Sequence, residues 1–139
     1  MKSILIDAGP LIALFARDDR HYQRIRALVH EVSEHGVRLL TTWPCVVEAS
    51  YLLKPPQRFE LLQWIERQGV FVHSFETYHL GRMAQWMRRY TEDGKREMDL
   101  ADASLVWLAD EMNLTDILTL DIADFSRYRL PDGRAFRLL

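Results

Sequence analysis

Cysteine is almost missing from this chain. Cys45 stands alone, so no internal disulfide forms, and without a CxxC pair there is no thiolate zinc site of the usual kind. A solitary thiol fits a reducing compartment. Long apolar runs are missing as well, which argues against a membrane span. The opening Ser3-Ile4-Leu5-Ile6 is too short for a signal peptide and is interrupted by Asp7. The expectation is a soluble, cytoplasmic protein with no membrane partner. Nor is there an excess of positive charge: 18 Lys and Arg stand against 20 Asp and Glu, for a net charge of −2. A protein that simply coats nucleic acid is usually basic, so any polyanion handled here would have to meet a local basic surface or a bound cation. The five histidines, His21, His30, His35, His73 and His79, show no metal-ligand spacing. Repeats, low-complexity tracts and domain linkers are absent too. With 139 residues and a 48% hydrophobic share, the chain reads as a single domain over 1–139 with its own core.

What is present is a regular alternation. Apolar runs at 2–7, 37–41, 70–73 and 116–120 read as strands, and 134–138 as a further one. Between them, 10–16, about 20–35, a segment opened by Pro44 and stopped by Pro55-Pro56, about 57–68, 76–90 and 100–112 read as helices. Residues 91–96 form a polar loop. Asp18 or Asp19 is expected to cap the second helix, and Gly36 and Gly69 to end the second and fourth. Short strands alternating with helices imply an α/β sandwich with a mostly parallel sheet of four to five strands. Trp64, Tyr78, Met83, Trp86 and Met87 belong either to the core or to a dimer interface. Two stretches are locally basic: Arg82, Arg88, Arg89, Lys95 and Arg96 in one, and Arg127, Arg129, Arg134 and Arg137 in the other. They read as solvated surface or as guides for a phosphate backbone.

The chemistry lies in the acids. Ile4-Leu5-Ile6-Asp7 and Ile117-Leu118-Thr119-Leu120-Asp121 are both apolar strands that finish on a carboxylate. Open α/β sheets bind ligands outside the carboxyl ends of their strands, so neighbouring strands would bring Asp7 and Asp121 into one crevice. Glu48 and Asp102 each sit within an apolar helix, where a charge needs an ion-pair partner or a metal. Asp99, three residues before Asp102, is either a further acid of the site or the helix N-cap. Asp124 reads as a solvated turn residue. Converging carboxylates repel one another, and an all-oxygen site suits Mg²⁺ or Mn²⁺ better than zinc.

These stretches, in order, resemble the PIN-domain nucleases, specifically the VapC-type toxins of toxin–antitoxin pairs. The residues concerned are Ile4-Leu5-Ile6-Asp7 with Pro10-Leu11-Ile12-Ala13-Leu14, Val47-Glu48, Asp99-Leu100-Ala101-Asp102-Ala103, and Leu118-Thr119-Leu120-Asp121 with Phe125. The resemblance implies a PIN-like three-layer α/β/α sandwich with Asp7, Glu48, Asp102 and Asp121 as catalytic and metal-binding acids. It gives Thr119 a supporting hydrogen bond to a carboxylate or a metal-bound water. It implies a Mg²⁺-dependent endoribonuclease using metal-activated water, with RNA as substrate, a cognate antitoxin and a homodimer. One departure concerns orientation: many relatives carry Ser or Thr after the first Asp, whereas Ala8-Gly9 stands here. The rival readings are a DNA- or structure-specific nuclease with the same acids, and a non-catalytic binding module whose acids are only caps and ion pairs. A receiver-type phospho-acceptor domain would need a late lysine, and none follows Lys95.

Overall fold

The computed structural model describes residues 2–91 and 96–139. Glu92, Asp93 and Lys95, which belong to the polar loop and the first basic stretch, lie outside the described residues. Five strands form one sheet: β1 (Ser3–Ile6), β2 (Arg38–Thr42), β3 (Phe71–His73), β4 (Asp116–Leu118) and β5 (Arg137–Leu138). Their order is β3-β2-β1-β4-β5, and every adjacent pair is parallel. Parallel neighbours require crossover helices, which supply the layers on either side. Both faces are covered at the centre. Ile4, Leu5 and Ile6 point alternately to opposite faces, and all three are buried.

The helices are α1 (Ala8–Phe15), α2 (Tyr22–Glu34), α3 (Trp43–Leu52), α4 (Gln57–Glu66), α5 (Leu80–Tyr90), α6 (Leu100–Met112) and the short α7 (Ile122–Phe125). A single 3₁₀ turn, Thr77–His79, precedes α5. The helix that buries the most residues is α6, with Ala101 and every residue from Ala103 to Ala109; it packs against β2, α3 and α5. That enclosure explains its long apolar run from Ala103 to Ala109, broken only by Ser104. Met83 and Trp86 of α5 are core residues, whereas Tyr78 is 79% exposed.

The ends of several elements differ from the sequence expectation, each for a local reason. α1 starts two residues early because Asp7 itself caps it, accepting from the Ala8 N–H at 2.7 Å. α2 starts at Tyr22, after the Asp19 carboxylate takes the His21 N–H at 2.8 Å and holds the preceding turn. β4 stops at Leu118 rather than Leu120, because the Thr119 hydroxyl accepts the Asp121 N–H and turns the chain toward α7. β5 is confined to two residues, since Arg134 is held in a turn by Asp132 through its N–H and its guanidinium. At the end of α4 it is Gln68 that takes the left-handed conformation, with φ of 63°. Gly69 serves another purpose. A Cβ there would lie 2.0 Å from the Trp64 indole nitrogen, so the ring packs on bare backbone. Gly69→Ala should therefore lower unfolding free energy by about 1–3 kcal/mol through overpacking, measurable as a reduced denaturation midpoint.

Candidate acidic site

The strand order fixes where a site can form. β1 connects outward to β2 and β3, whereas β4 and β5 lie on its other side. The direction of winding therefore changes between β1 and β4, and at such a switch point the chains leaving the two strands part and open a crevice. The register pairs Leu5 with Ile117 and Ile6 with Leu118. Asp7 leaves β1 and Thr119 leaves β4 at the same level, and the Asp7 N–H still donates to the Leu118 carbonyl at 3.0 Å.

This register gives Asp7 a defined orientation. One of its carboxylate oxygens accepts from the Ala8 N–H at 2.7 Å, and the other accepts from the Thr119 hydroxyl at 2.9 Å. The same hydroxyl oxygen accepts the Asp121 N–H at 3.0 Å. Thr119 therefore links the two strand-terminal acids, and Asp7 is oriented without a hydroxyl residue at position 8. The helices bring in the other acids. Asp102 lies in the first turn of α6, where the Tyr128 hydroxyl donates to it at 2.7 Å. Asp99 caps that helix, accepting the Asp102 N–H at 2.8 Å. Glu48 enters from α3.

All four principal acids, Asp7, Glu48, Asp102 and Asp121, line one cleft of about 500 Å³. Asp99, Glu97 and Asp124 line it as well, and Gly9, Ile12 and Leu52 are among its other walls. The tightest group differs from the sequence expectation. Oxygen atoms of Asp102, Asp121 and Asp124 all lie within 4.8 Å of one another, whereas Asp7 and Glu48 border the same cleft outside that group. Asp124 is no solvated turn residue but part of this group. It comes inward because it follows Asp121 by three residues in the first turn of α7, its N–H donating to the Asp121 carboxylate at 3.2 Å. The sequence signal was there, as the spacing matches that of Asp99 and Asp102. Tyr128 carried no such signal. It lies 26 residues from its partner and reaches Asp102 from a buried aromatic cluster with Tyr90 and Phe125.

The electrostatics follow from this crowding. Burial raises the Asp7 carboxyl to about 6; hydrogen bonds from Thr119 and Ala8 work against the rise, and the charges of Glu48 and Asp121 add to it. Asp102 is raised further, to about 8, by burial and then by Asp99, despite the hydrogen bond from Tyr128. Glu48 is raised by burial and by Asp99, and Asp121 chiefly by burial. Asp124 moves the other way: burial opposes its charge, but hydrogen bonds from Arg127, Asp121 and Arg96 outweigh it. Among the described residues, no Lys or Arg forms an ion pair with Asp7, Glu48, Asp99, Asp102 or Asp121. Of the group's described residues, Asp124 alone is offset, by Arg96 and Arg127; the remaining all-oxygen set, with raised proton affinities, fits a hard divalent cation such as Mg²⁺ or Mn²⁺.

Among the described residues, no helix is long and apolar enough to cross a membrane. No family model matches the sequence, and no curated protein matches it. Solved structures do. The Mycobacterium tuberculosis VapC20 toxin, which cleaves the sarcin–ricin loop, superposes with a TM-score of 0.69 at 14% identity, covering 82% of this chain and 86% of that one. VapBC2 from Rickettsia felis, bound to a DNA fragment from its promoter, matches with a TM-score of 0.64 at 13% identity, covering 99% and 98% of the two chains. FitAB bound to a DNA fragment matches at 0.56 and 19% identity, covering 88% and 87%. At such identities the likeness is one of fold, and it spans nearly the whole chain. With five parallel strands between helices and its acids at the switch point, the chain has the PIN-like fold of these VapC-type toxin–antitoxin proteins.

Proposed function

We propose that the protein is a divalent-metal-dependent endoribonuclease, a VapC-like toxin acting in the cytoplasm. The observation that carries this reading is the convergence of Asp7, Glu48, Asp102 and Asp121 in one cleft at the switch point, without ion-pair partners among the described residues. Asp102, Asp121 and Asp124 would hold the cation, with Asp7 and Glu48 alongside. Bound there, Mg²⁺ would neutralise phosphate charge and lower the pKa of a water in its shell. In the hydrolysis, a water oxygen bonds to phosphorus and gives up one proton to solvent, an ester P–O bond breaks, and the leaving oxygen takes up one proton from solvent. Thr119 keeps Asp7 and the Asp121 backbone in fixed relation, and Tyr128 holds the Asp102 carboxyl. We assign Glu48, facing the group from α3, to orienting the attacking water. The acids do not distinguish RNA from DNA. RNA is proposed from the family resemblance and from the likeness to the sarcin–ricin-cleaving toxin.

The same likeness supports an antitoxin partner, and an acidic cleft is a fitting receptor for an inserted arginine. A homodimer is proposed through the face where Trp43, Val47 and Tyr51 are 49%, 63% and 79% exposed. Together with Pro44, Phe75 and Leu100 they line an apolar groove of about 720 Å³. Glu48 and Asp99 are the charged residues of its lining, and a mainly apolar face of this kind tolerates its own copy across a two-fold axis.

Asp7→Asn and Asp121→Asn should each abolish Mg²⁺-dependent cleavage of single-stranded RNA. Full activity in both would refute the assignment, and cutting of DNA in preference to RNA in a side-by-side assay would replace the substrate. Without added cation, stability should depend on pH. Asp102 keeps its proton to about 8 when folded, against 3.8 ordinarily, so its contribution is complete below about 4 and is lost as pH rises toward 8. Asp102→Asn should flatten that decline in thermal melting. Mg²⁺ should raise the melting temperature more at pH 8 than at pH 5, where protons compete for the same oxygens. Trp43→Glu should convert a dimer to a monomer in light scattering; an unchanged mass would exclude this face.

A further inference from the structure

Among the described residues, two cations touch the acid group, and both do so through Asp124. They are held differently. Arg127 is tied in place: its Nη2 donates to Asp124 at 3.1 Å and to the Tyr90 carbonyl at 3.1 Å, and its guanidinium lies 5.8 Å from the Tyr128 ring centre. Arg96 has one long hydrogen bond, from Nη1 to the Asp124 carboxylate at 3.4 Å, and its side chain is 43% exposed against 26% for Arg127. Exposed pairs of this kind contribute little to stability. If Arg96 moves away, Asp124 keeps its bond to Arg127 and no buried charge is left unpaired.

We propose that Arg96 is a phosphate-binding residue whose guanidinium passes from Asp124 to a non-bridging oxygen of the phosphodiester being cut. This rests on the nuclease reading above. A polyanionic strand approaching a cleft lined by seven carboxylates is repelled on most sides. The exception is the α7 edge, where the two guanidiniums offset the acids, and of these Arg96 is the one free to reorient. Asp124 lies within 4.8 Å of Asp102 and Asp121, so a guanidinium parked on it is adjacent to the oxygens that would hold the cation. A planar guanidinium fits two phosphate oxygens at once, and there it offsets the charge that builds up as water attacks. No bond is made or broken by Arg96 itself. The strand would accordingly enter over α7 and not over α3.

The test compares Arg96→Ala and Arg96→Lys with wild type in three assays: Mg²⁺-dependent cleavage of a labelled single-stranded RNA, Mg²⁺-induced melting shift, and salt dependence of RNA binding by fluorescence anisotropy in a non-cleaving Asp121→Asn background. Arg96→Ala should lose about a hundredfold in kcat/KM and flatten the log–log salt slope by about 0.7, the share of one single-strand phosphate contact. Its Mg²⁺ melting shift should be at least that of wild type, since the guanidinium no longer competes for Asp124, and Arg96→Lys should recover part of the loss in kcat/KM. Wild-type kcat/KM and salt slope in Arg96→Ala would overturn the proposal while leaving the nuclease reading standing. Loss of the Mg²⁺ shift together with activity would also overturn it, by showing that Arg96 acts on the cation through Asp124. A wild-type protein that neither binds nor cuts RNA would overturn both.

Discussion

The burial of carboxylates, sharpened by their mutual repulsion, at the carboxyl end of the sheet is the constraint on which the site depends. Asp7 is buried, Asp102 half-buried and Asp121 exposed beside them, and the three cannot all stay ionised together without either protons or a cation. The surrounding structure keeps them together regardless. The sheet register sets Asp7 against Thr119, the Asp99 cap fixes the first turn of α6, and a buried tyrosine holds Asp102 from the far side. The central strands and α6 provide the burial that makes the arrangement rigid. Stability is thereby sacrificed locally, as is common where a fold keeps a charged site ready for a ligand.

The hydroxyl of Thr119 has a special place in this arrangement. It donates to one strand-terminal acid and accepts from the backbone of the other. A single oxygen thus ends β4, starts the turn toward α7 and fixes the spacing of the two acids. This also resolves the missing hydroxyl at position 8. Asp7 obtains its two donors from the Ala8 backbone and from the neighbouring strand, so the change to Ala8 costs it no hydrogen bond.

Much of this was legible in the sequence, because the strands are short, apolar and end on their acids. The positions of β1 to β4, the enclosure of α6 and the meeting of Asp7 with Asp121 follow from patterning and from the rule for open sheets. What the sequence hid was tertiary. Tyr128 reaches Asp102 across 26 residues of chain, set in place by its packing on Tyr90 and Phe125. Asp124 enters the acid group because α7 begins at Asp121, a start set by Thr119 and not by any propensity of its own. Several arginines of the basic stretches are paired with acids: Arg82 with Asp110, Arg134 with Asp132 and Arg137 with Asp116. Linear charge counts therefore overstated the positive surface.

The central claim is that protons neutralise these crowded carboxyls until a cation replaces them. The direct measurement is calorimetric titration of metal-free protein with Mn²⁺ at pH 7 in two buffers of different ionisation enthalpy. The account predicts binding accompanied by proton release, with the release greatly reduced in Asp102→Asn. Absence of binding, or binding with no proton release and no dependence on Asp102, would contradict it.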